Sequence, residues 1–250
     1  MVIITLEQFF EKNPSVALGF SGGVDSSYLL YAGIKYGANI KPYYVKTSFQ
    51  PEFELQDAYK LVGSVGAEIT VLELGILDNE QILSNPPDRC YHCKTVIFKA
   101  LQKQALADGF TFIIDGTNAS DDVSDRPGMR ALSELSVCSP LRECGITKDE
   151  VRRLSKEAGL FTWNKPAYAC LATRIPTGRT ITGELLYNVE KAEDALFSLG
   201  FSDFRVRVYH DAARLQFPHD QLNDVLNKQM DIVQQLKQFF ENIFLDLEGR

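Results

Sequence analysis

The chain has 250 residues, of which 45% are hydrophobic and 24% are charged, values typical of a globular protein. They exclude a collagen, a coiled coil, a disordered tail and a disulfide-stabilised miniprotein. The formal net charge of −7 makes a nucleic-acid partner unexpected, because such proteins usually carry a basic excess. No signal peptide is predicted, and no apolar run approaches the roughly 20 residues that span a bilayer. We therefore expect a cytoplasmic protein without a membrane segment.

Hydrophobic periodicity predicts strands and helices in alternation after a short opening helix capped by Thr5 and Gln8. The predicted strands are 15–20, 40–46, 68–74 and 111–114, and the predicted helices are 28–36, 52–65, 94–107, 127–135 and 148–158. Such alternation is typical of crossover connections, so the sequence predicts an α/β fold with a parallel sheet.

The pattern changes towards the C-terminus. Residues 165–178 have no clean period, and we interpret them as an ordered functional loop. An αββαβ order follows, with helices at 182–199 and 220–240 and strands at 204–209, 213–217 and 243–247. We therefore expect two domains, residues 1–178 and a smaller α+β domain at residues 179–250.

A glycine loop, SGGVDS, lies between the first predicted strand and the helix that follows it. Gly22 and Gly23 allow the backbone to approach an anion, and the first N–H groups of the helix point outward unpaired. Ser21 and Ser26 add hydroxyl donors. The segment matches neither the Walker pattern nor the GxGxxG fingerprint. A tight turn that uses glycine only for geometry is the alternative, but the position between strand and helix favours a phosphate site.

The cysteines number five in a chain without a predicted export signal, which argues against a disulfide framework. Cys90 and Cys93 form a CxxC pair, which can bind a metal or cluster or act as a redox dithiol. Cys170 lies in the irregular loop, and a third thiolate would allow a [4Fe-4S] cluster with one open iron. A small buried thiol is the alternative for Cys170. We interpret Cys138 and Cys144 as core thiols.

The glycine loop resembles the PP-loop of ATP pyrophosphatases, which adenylate a carbonyl-type oxygen with ATP and release pyrophosphate. The resemblance implies a doubly wound α/β domain whose loop holds the phosphates, with Asp25 near Mg²⁺ and Lys94 as an added cation. A solvated helix residue is the alternative for Lys94. Asn118 and Arg126 follow the end of a predicted strand, where ligands collect in such sheets, and are expected at the ATP site. A mobile acidic loop is the alternative for the segment of Arg126.

Longer sequence segments make this resemblance more specific, from a superfamily to one family. They are RCYHCK, DGTNASDDVSDRPGMRA, SPLRECGITKDEVRRLSKEAGL, TWNKPAYACLATRIPTGRTIT and AEDALFSLGFSDFRVRVYHDAARLQF. In this order they are similar to the LarE-type sulfur transferases over about residues 10–250. The family implies an enzyme that uses ATP to thiolate the carboxylates of a pyridinium dicarboxylate mononucleotide, on the route to the nickel-pincer cofactor of lactate racemase.

The same resemblance implies roles for the cysteines. The residue that matches Cys170 is the sulfur site of the family, and in some members it gives up its own sulfur and becomes dehydroalanine. Members that also carry the CxxC are expected to bind a [4Fe-4S] cluster, here on Cys90, Cys93 and Cys170, and to pass on a sulfide from an external donor. The resemblance also implies a homo-oligomer, a hexamer.

Three arginines are candidates for the substrate site. Arg205 and Arg207 alternate along a predicted strand and so face one side, which suits a bidentate contact with a substrate phosphate. A solvated strand face is the alternative. Arg174, four residues after Cys170, is expected to stabilise the adenylated carboxylate or the nucleotide.

Glu193 and Asp224 match acidic positions that belong to a metal-binding cluster in relatives. Gln216 stands where such relatives can carry Glu, which argues against the same metal site here.

The predicted reaction begins with ATP at the glycine loop. The substrate carboxylate attacks the α-phosphate, pyrophosphate leaves, and sulfur held at the cysteine site then displaces AMP to give a thiocarboxylate. The acidic chain is compatible with a small anionic nucleotide if a few arginines gather positive potential in one place. Three alternatives remain open: a tRNA thiolase, an ammonia-using amide-forming synthetase, and a nucleotide-binding module without enzyme activity.

Overall fold

The computed structural model of the chain describes residues 4–122 and 127–250. In the first part of the chain the helices are α1 (Leu6–Lys12), α2 (Val24–Lys35), α3 (Glu52–Ser64), α4 (Glu80–Leu83), α5 (Arg89–Ala107), α6 (Pro127–Glu134), α7 (Pro140–Glu143) and α8 (Lys148–Glu157). The strands of this part are β1 (Ser15–Gly19), β2 (Asn39–Lys46), β3 (Thr70–Glu73) and β4 (Ile113–Ile114). Strands and longer helices alternate here as the periodicity predicts.

The C-terminal part follows two short 3-10 helices, Phe161–Asn164 and Leu171–Arg174. It contains α9 (Gly183–Ser198), β5 (Arg205–Tyr209), β6 (Ala212–Gln216), a 3-10 helix at His219–Gln221, α10 (Leu222–Asn227), α11 (Gln229–Leu236) and β7 (Asn242–Leu245). The order matches the predicted αββαβ unit, except that its second helix is divided. Throughout both described ranges, no helix is long and apolar enough to cross a membrane.

The parallel sheet has the strand order β3-β2-β1-β4. All three strand pairs in it are parallel. The chain moves outward from β1 to β3 and then returns to the other side of β1, so the strand order reverses between β1 and β4. Val16, Ala17 and Leu18 of β1 are fully buried because helices cover the sheet. The prediction of a doubly wound α/β fold is confirmed.

The start of α5 differs from the prediction. The helix begins at Arg89 and not at Lys94, so the CxxC pair lies inside its first turns. The buried face of α5 includes Arg89 and Cys93 as well as Leu101. The guanidinium of Arg89 lies 5.6 Å from the ring centre of Phe49, a contact with a distant residue. Because an arginine on a buried face interrupts the apolar pattern, periodicity alone places the helix start too late.

The chain divides into two compact units. The first contains residues 1–76 and 88–165, and the second contains residues 77–87 and 166–250. The boundary that we expect from the sequence lies further along the chain, after Gly178.

Hydrogen bonds within the second unit explain this division. The side-chain amide of Asn85 donates to the carbonyl oxygens of Ile175 and Pro176, at 3.2 and 2.9 Å. The backbone N–H of Gly178 donates to the Asn85 carbonyl at 2.8 Å. These bonds join the short segment around α4 to the loop before α9, although about ninety residues separate the two in sequence.

The sheet of the second unit has the order β5-β6-β7, with β5 and β6 antiparallel and β6 and β7 parallel. Leu186, Val189 and Leu196 of α9 are buried. One further residue on this buried face is charged: Glu193, whose surroundings are described below.

We predict that Asn85→Ala destabilises the second unit by about 2 kcal/mol, because it removes two buried hydrogen bonds to carbonyl groups. Urea unfolding measures the change. Asn85 also has a φ of +50°, so Asn85→Gly, which suits that backbone, separates the loss of the bonds from backbone strain. Asn227→Ala, at an exposed position of the same unit, serves as the control. Equal stability of Asn85→Ala and the wild type would contradict this account.

Candidate functional site

A cleft of about 450 Å³ lies in the first unit, beyond the carboxyl ends of β1 and β4. This is the place where the strand order reverses, and ligands of open α/β sheets bind there. Ser21, Asp25 and Ser26 line the cleft after β1, and Asp115 and Gly116 line it after β4.

The glycine loop forms one wall of the cleft. Gly22 has a φ of +69°, and a Cβ at this position would lie 3.3 Å from the carbonyl oxygen of Glu54. The Ser21 backbone N–H donates to the Ser26 hydroxyl at 3.2 Å, and the two hydroxyl oxygens are 3.1 Å apart. The N-cap residue of α2 is Gly23, so no side chain caps the first N–H groups of the helix. Unpaired N–H groups at a helix start favour an anion.

The loop after β4 forms the opposite wall. A Cβ on Gly116 would lie 2.9 Å from the backbone nitrogen of Ser26, so this close approach requires glycine. Asp115 is buried and accepts hydrogen bonds from the hydroxyls of Thr117 and Ser139 at 2.5 and 2.6 Å. These bonds satisfy the carboxylate and hold the wall in place. This role of Asp115 was not predicted from the sequence, although an Asp-Gly pair directly after a strand is a signal for it.

Asp25 lies in the first turn of α2. The Asn118 side-chain amide donates to its Oδ1 at 3.2 Å, so the structure brings these two predicted site residues together. Lys148 Nζ lies 2.5 Å from Asp25 Oδ2. Lys148 was not predicted, because the capping pattern around it shows where α8 begins and not what its side chain contacts.

Mg²⁺ prefers carboxylate oxygens and water as ligands. The side chains of Asp25, Asp115 and Asp121 all line the cleft, beside the uncapped start of α2. The described carboxylates do not form a ready-made metal site, so a Mg²⁺ ion that arrives with ATP would take most of its ligands from phosphate oxygens and water, with a single carboxylate such as Asp25. Arg126, which was predicted at the same site, lies outside the described residues.

Two side chains of α5, Cys90 and Lys94, also line the cleft. They are one helical turn apart and therefore on the same face. Gly128 of α6 leaves room for the lysine, since a Cβ there would lie 3.0 Å from Lys94 Cδ. The structure thus places Lys94 in the same cleft as Ser21 and Ser26.

The other candidate cluster ligands are placed differently. Cys93 is buried, and its sulfur accepts a hydrogen bond from Arg89 Nη1 at 3.7 Å. Cys170 belongs to the second unit, where it precedes the 3-10 helix Leu171–Arg174. Within either unit, no described group of three or more His, Cys, Asp or Glu side chains is arranged to hold a metal ion. Neither unit by itself therefore fits a three-thiolate cluster.

The remaining cysteines are in buried surroundings. Burial and a hydrogen bond to Glu143 raise the pKa of Cys138 far above its usual range. Burial, with a smaller contribution from Glu143, raises the pKa of Cys144 to about 11. Both thiols are therefore protonated at neutral pH, in agreement with their interpretation as core residues.

A buried ion pair lies in the second unit. Arg174 Nε and Nη2 donate to Oε1 and Oε2 of Glu193 at 2.9 and 3.2 Å, and both side chains are at most 2% exposed. Burial lowers the pKa of Arg174, but the hydrogen bonds and charge of Glu193 outweigh it and raise the pKa overall. The contact is bidentate, which is the stronger form of such pairs.

Tyr168 and Arg205 extend this pair. The Tyr168 hydroxyl donates to Glu193 Oε2, and the Arg205 guanidinium lies 5.2 Å from the centre of the tyrosine ring. Arg205 Nη2 donates to the Ala167 carbonyl at 2.5 Å. Burial, followed by the charge of Arg174, lowers the pKa of Arg205 to about 10. We call the side chains of Tyr168, Arg174, Glu193 and Arg205 the buried network.

A second pocket, of about 400 Å³, lies beside the 3-10 helix that follows Cys170. Arg207 and Arg214 both line it and face each other across β5 and β6. Arg207 Nη1 donates to the Thr173 carbonyl at 2.8 Å, and Arg214 Nε lies 3.4 Å from an Asp246 oxygen. Two guanidinium groups in one pocket suit an anion.

The sequence predicts that Arg205 and Arg207 contact a phosphate together, but only one of these two arginines lines this pocket. Arg207 lines it, whereas Arg205 belongs to the buried network. The residue opposite Arg207 is Arg214, which sequence analysis missed. Strand alternation gives the face of each residue, but the register of β5 against β6 is needed to pair them.

The metal cluster implied for Glu193 is not found among the described residues. Besides Arg174 and Tyr168, the backbone N–H of Val206 donates to Glu193 Oε1 at 3.0 Å. Gln216, near the same strand ends, accepts from Arg207 and donates to Asp246. Both side chains are thus engaged in hydrogen bonds within the protein.

No family model matches the chain. A relative of uncharacterised function from Synechocystis sp. is 38% identical, over 98% of this chain and 92% of the relative. The pyridinium-3,5-bisthiocarboxylic acid mononucleotide synthase of Lactiplantibacillus plantarum is 32% identical, over 94% of this chain and 86% of its own length. The tRNA-specific 2-thiouridylase MnmA of a Thermotoga species is 26% identical over only 60% of this chain and 54% of its own length.

These matches differ in extent and indicate two levels of relationship, a distant one to a superfamily and a nearer one to a family. The partial match to the thiouridylase agrees with the PP-loop motif and the doubly wound fold. The match to the mononucleotide synthase covers nearly the whole of both chains and confirms the resemblance carried by the longer sequence segments. The chain belongs to the LarE family of ATP-dependent sulfur transferases, within the PP-loop ATP pyrophosphatase superfamily.

Proposed function

We propose that this protein adenylates a carboxylate of a pyridinium dicarboxylate mononucleotide and replaces its oxygen with sulfur, as a step towards a nickel-pincer cofactor. The observation that carries the proposal is the glycine-loop cleft at the reversal of strand order, in a chain that matches the mononucleotide synthase over nearly its whole length. The reaction has two halves, adenylation and sulfur transfer, which use different parts of the chain.

Adenylation is assigned to the cleft of the first unit. The loop residues Ser21, Gly22, Gly23 and Ser26 and the uncapped start of α2 hold the ATP phosphates, and Lys94 adds a positive charge. A substrate carboxylate oxygen attacks the α-phosphorus, and the bond to the bridging oxygen breaks, so that pyrophosphate leaves with the electron pair. Mg²⁺, held with Asp25, neutralises phosphate charge when it is bound.

Sulfur transfer is assigned to Cys170. When sulfide is the nucleophile, it attacks the acyl carbon of the adenylate, the carbon–oxygen bond to AMP breaks, and a thiocarboxylate is left. When the Cys170 thiolate attacks instead, the product is a thioester. Loss of the Cys170 α-proton and cleavage of its Cβ–S bond then release the thiocarboxylate and leave dehydroalanine. Cys90 and Cys93 are also assigned to sulfur transfer, because Cys90 lines the cleft in which the adenylate is proposed to form. We propose that these two thiols and Cys170 bind a [4Fe-4S] cluster, supplied with sulfide by an external donor. A cluster with three thiolate ligands has an open iron for an exogenous ligand.

The substrate phosphate is assigned to the pocket lined by Arg207 and Arg214. Their guanidinium groups face each other across two strands and can each offer two N–H donors to phosphate oxygens. Since the net charge is −7, these local cations account for the attraction of a small anionic nucleotide to an acidic protein. A cytoplasmic homo-oligomer, a hexamer, is part of the same proposal.

A tRNA thiolase is the second candidate, because the chain also matches the thiouridylase MnmA over 60% of its length. The two candidates differ in what stimulates pyrophosphate release. A tRNA substrate would give a response that falls steeply with salt, as phosphate-backbone contacts do. A small mononucleotide would give a much weaker salt dependence.

We predict that Lys94→Gln raises the KM for ATP or slows pyrophosphate release by roughly 10- to 100-fold, because a charged hydrogen bond to phosphate contributes about 1.5–3 kcal/mol. Lys103→Gln, an exposed change on the same helix, should leave both values unchanged. Pyrophosphate release with ATP, Mg²⁺ and the mononucleotide is the measurement. Equal kinetics of the two variants would remove Lys94 from the ATP site.

We predict that Cys170→Ala still releases pyrophosphate with ATP and the mononucleotide but forms no thiocarboxylate, because adenylation does not need the thiol. Mass spectrometry of product and protein is the measurement. Full product formation by Cys170→Ala with ammonia would indicate an amide-forming synthetase. Loss of one sulfur atom from the wild-type protein after a single turnover would indicate that Cys170 is sacrificed.

We predict that anaerobic incubation with iron and sulfide gives the wild-type protein the broad visible absorption of a [4Fe-4S] cluster. Cys90→Ser should lose the absorption and most of the bound iron, whereas Cys138→Ser, the control, should keep both. Absorption and bound iron are measured without turnover, so this test does not depend on enzyme activity. An absent absorption in the wild type, or unchanged iron in Cys90→Ser, would overturn the cluster assignment.

A further inference from the structure

The loop that carries Cys170 is attached to the second unit through its backbone carbonyls. Arg174 Nη1 donates to the Ala169 carbonyl at 2.7 Å and lies 3.4 Å from the Cys170 carbonyl. Arg205 Nη2 donates to the Ala167 carbonyl at 2.5 Å. Buried guanidinium groups therefore hold the backbone at Cys170 and on its N-terminal side.

Glu193 is the acceptor on which Arg174 depends. It lies on the buried face of α9 and is 1% exposed. Its two oxygens accept bonds from Arg174, from the Tyr168 hydroxyl and from the backbone N–H of Val206. One carboxylate thus connects the Cys170 loop with a helix and a strand of the second unit.

The charged side chains of the buried network can adopt few other arrangements. Arg174 is 1% exposed, and each of its three nitrogens donates to Glu193 or to loop oxygens. A buried guanidinium without its carboxylate is strongly unfavourable, so the loop would have to move to solvate it. Arg174 also lines the pocket of Arg207 and Arg214, but each of its nitrogens donates within the protein, so its contacts act on the position of the loop.

We propose that Glu193 is a positioning residue for sulfur transfer, which fixes Cys170 at its reactive place through Arg174 and Tyr168. The inference rests on the proposed function, in which Cys170 is the sulfur site. It assigns Arg174 and Arg205 to the support of this loop and not to direct contact with the substrate.

The test compares the two half-reactions in the full-length protein. Glu193→Gln removes the charge and keeps the size of the side chain. A misplacement of about 1 Å costs roughly 100-fold in rate, so thiocarboxylate formation should fall by about that factor. Pyrophosphate exchange with ATP and the mononucleotide should stay within about twofold of the wild type, because the ATP cleft belongs to the first unit.

A second readout is independent of turnover. The alkylation rate of Cys170 by iodoacetamide and the hydrogen exchange of residues 167–174 should both rise in Glu193→Gln. Glu184→Gln, the same change at an exposed position of α9, should alter neither, and Glu193→Asp should restore part of the effect. Tyr168→Phe removes one hydroxyl donor only and should shift both readouts in the same direction by less, which keeps the test open if Glu193→Gln does not fold.

The outcomes separate the two proposals. No thiocarboxylate from the wild type would refute the proposed function, while alkylation and exchange would still report on the loop. Unchanged alkylation and exchange in Glu193→Gln would overturn the positioning role. Equal losses in exchange and sulfur transfer would also overturn it, as would a divalent-metal site in the wild type that disappears in Glu193→Gln.

Discussion

The close approach of the two loops at the reversal of strand order is the constraint on which the proposed ATP site depends. Gly116 leaves no space for a Cβ beside the backbone nitrogen of Ser26, so the loop after β4 packs directly on the start of α2. The helix with these uncapped N–H groups therefore begins beside a cleft that both loops line, which favours an anion there. The walls are fixed by Gly22 and by the satisfied carboxylate of Asp115.

Burial is a second constraint, and it divides the arginines into two groups. Arg174 and Arg205 are 1% and 6% exposed, and their hydrogen bonds go to Glu193 and to loop carbonyls. Such arginines define structure, because their desolvation is compensated within the protein. Arg207 and Arg214 both line a pocket, and the Arg214 side chain is 42% exposed. A net charge of −7 is thus compatible with an anionic substrate, since a few placed cations matter more than the sum.

Local features could be predicted from the sequence, and contacts between distant residues could not. The strand, glycine loop and helix around Ser26 are contiguous, so periodicity and motif suffice there. Lys148 reaches Asp25 across 123 positions, and nothing in the capping pattern at α8 indicates that contact. The helix start at Arg89 was missed because its burial depends on Phe49. Arg214 was missed because the register of two strands decides which arginine faces Arg207.

The two halves of the proposed reaction make different demands on the protein, and the residues assigned to them meet these demands in different ways. Phosphates are large, symmetric anions, so backbone N–H groups and one lysine can hold them without exact side-chain placement. A sulfur atom that must reach one acyl carbon needs its own position defined closely. The loop of Cys170 lacks regular secondary structure on its N-terminal side, so the backbone alone cannot supply that definition. A buried carboxylate with charged donors can define the position of the loop, because other arrangements would leave a charge unpaired.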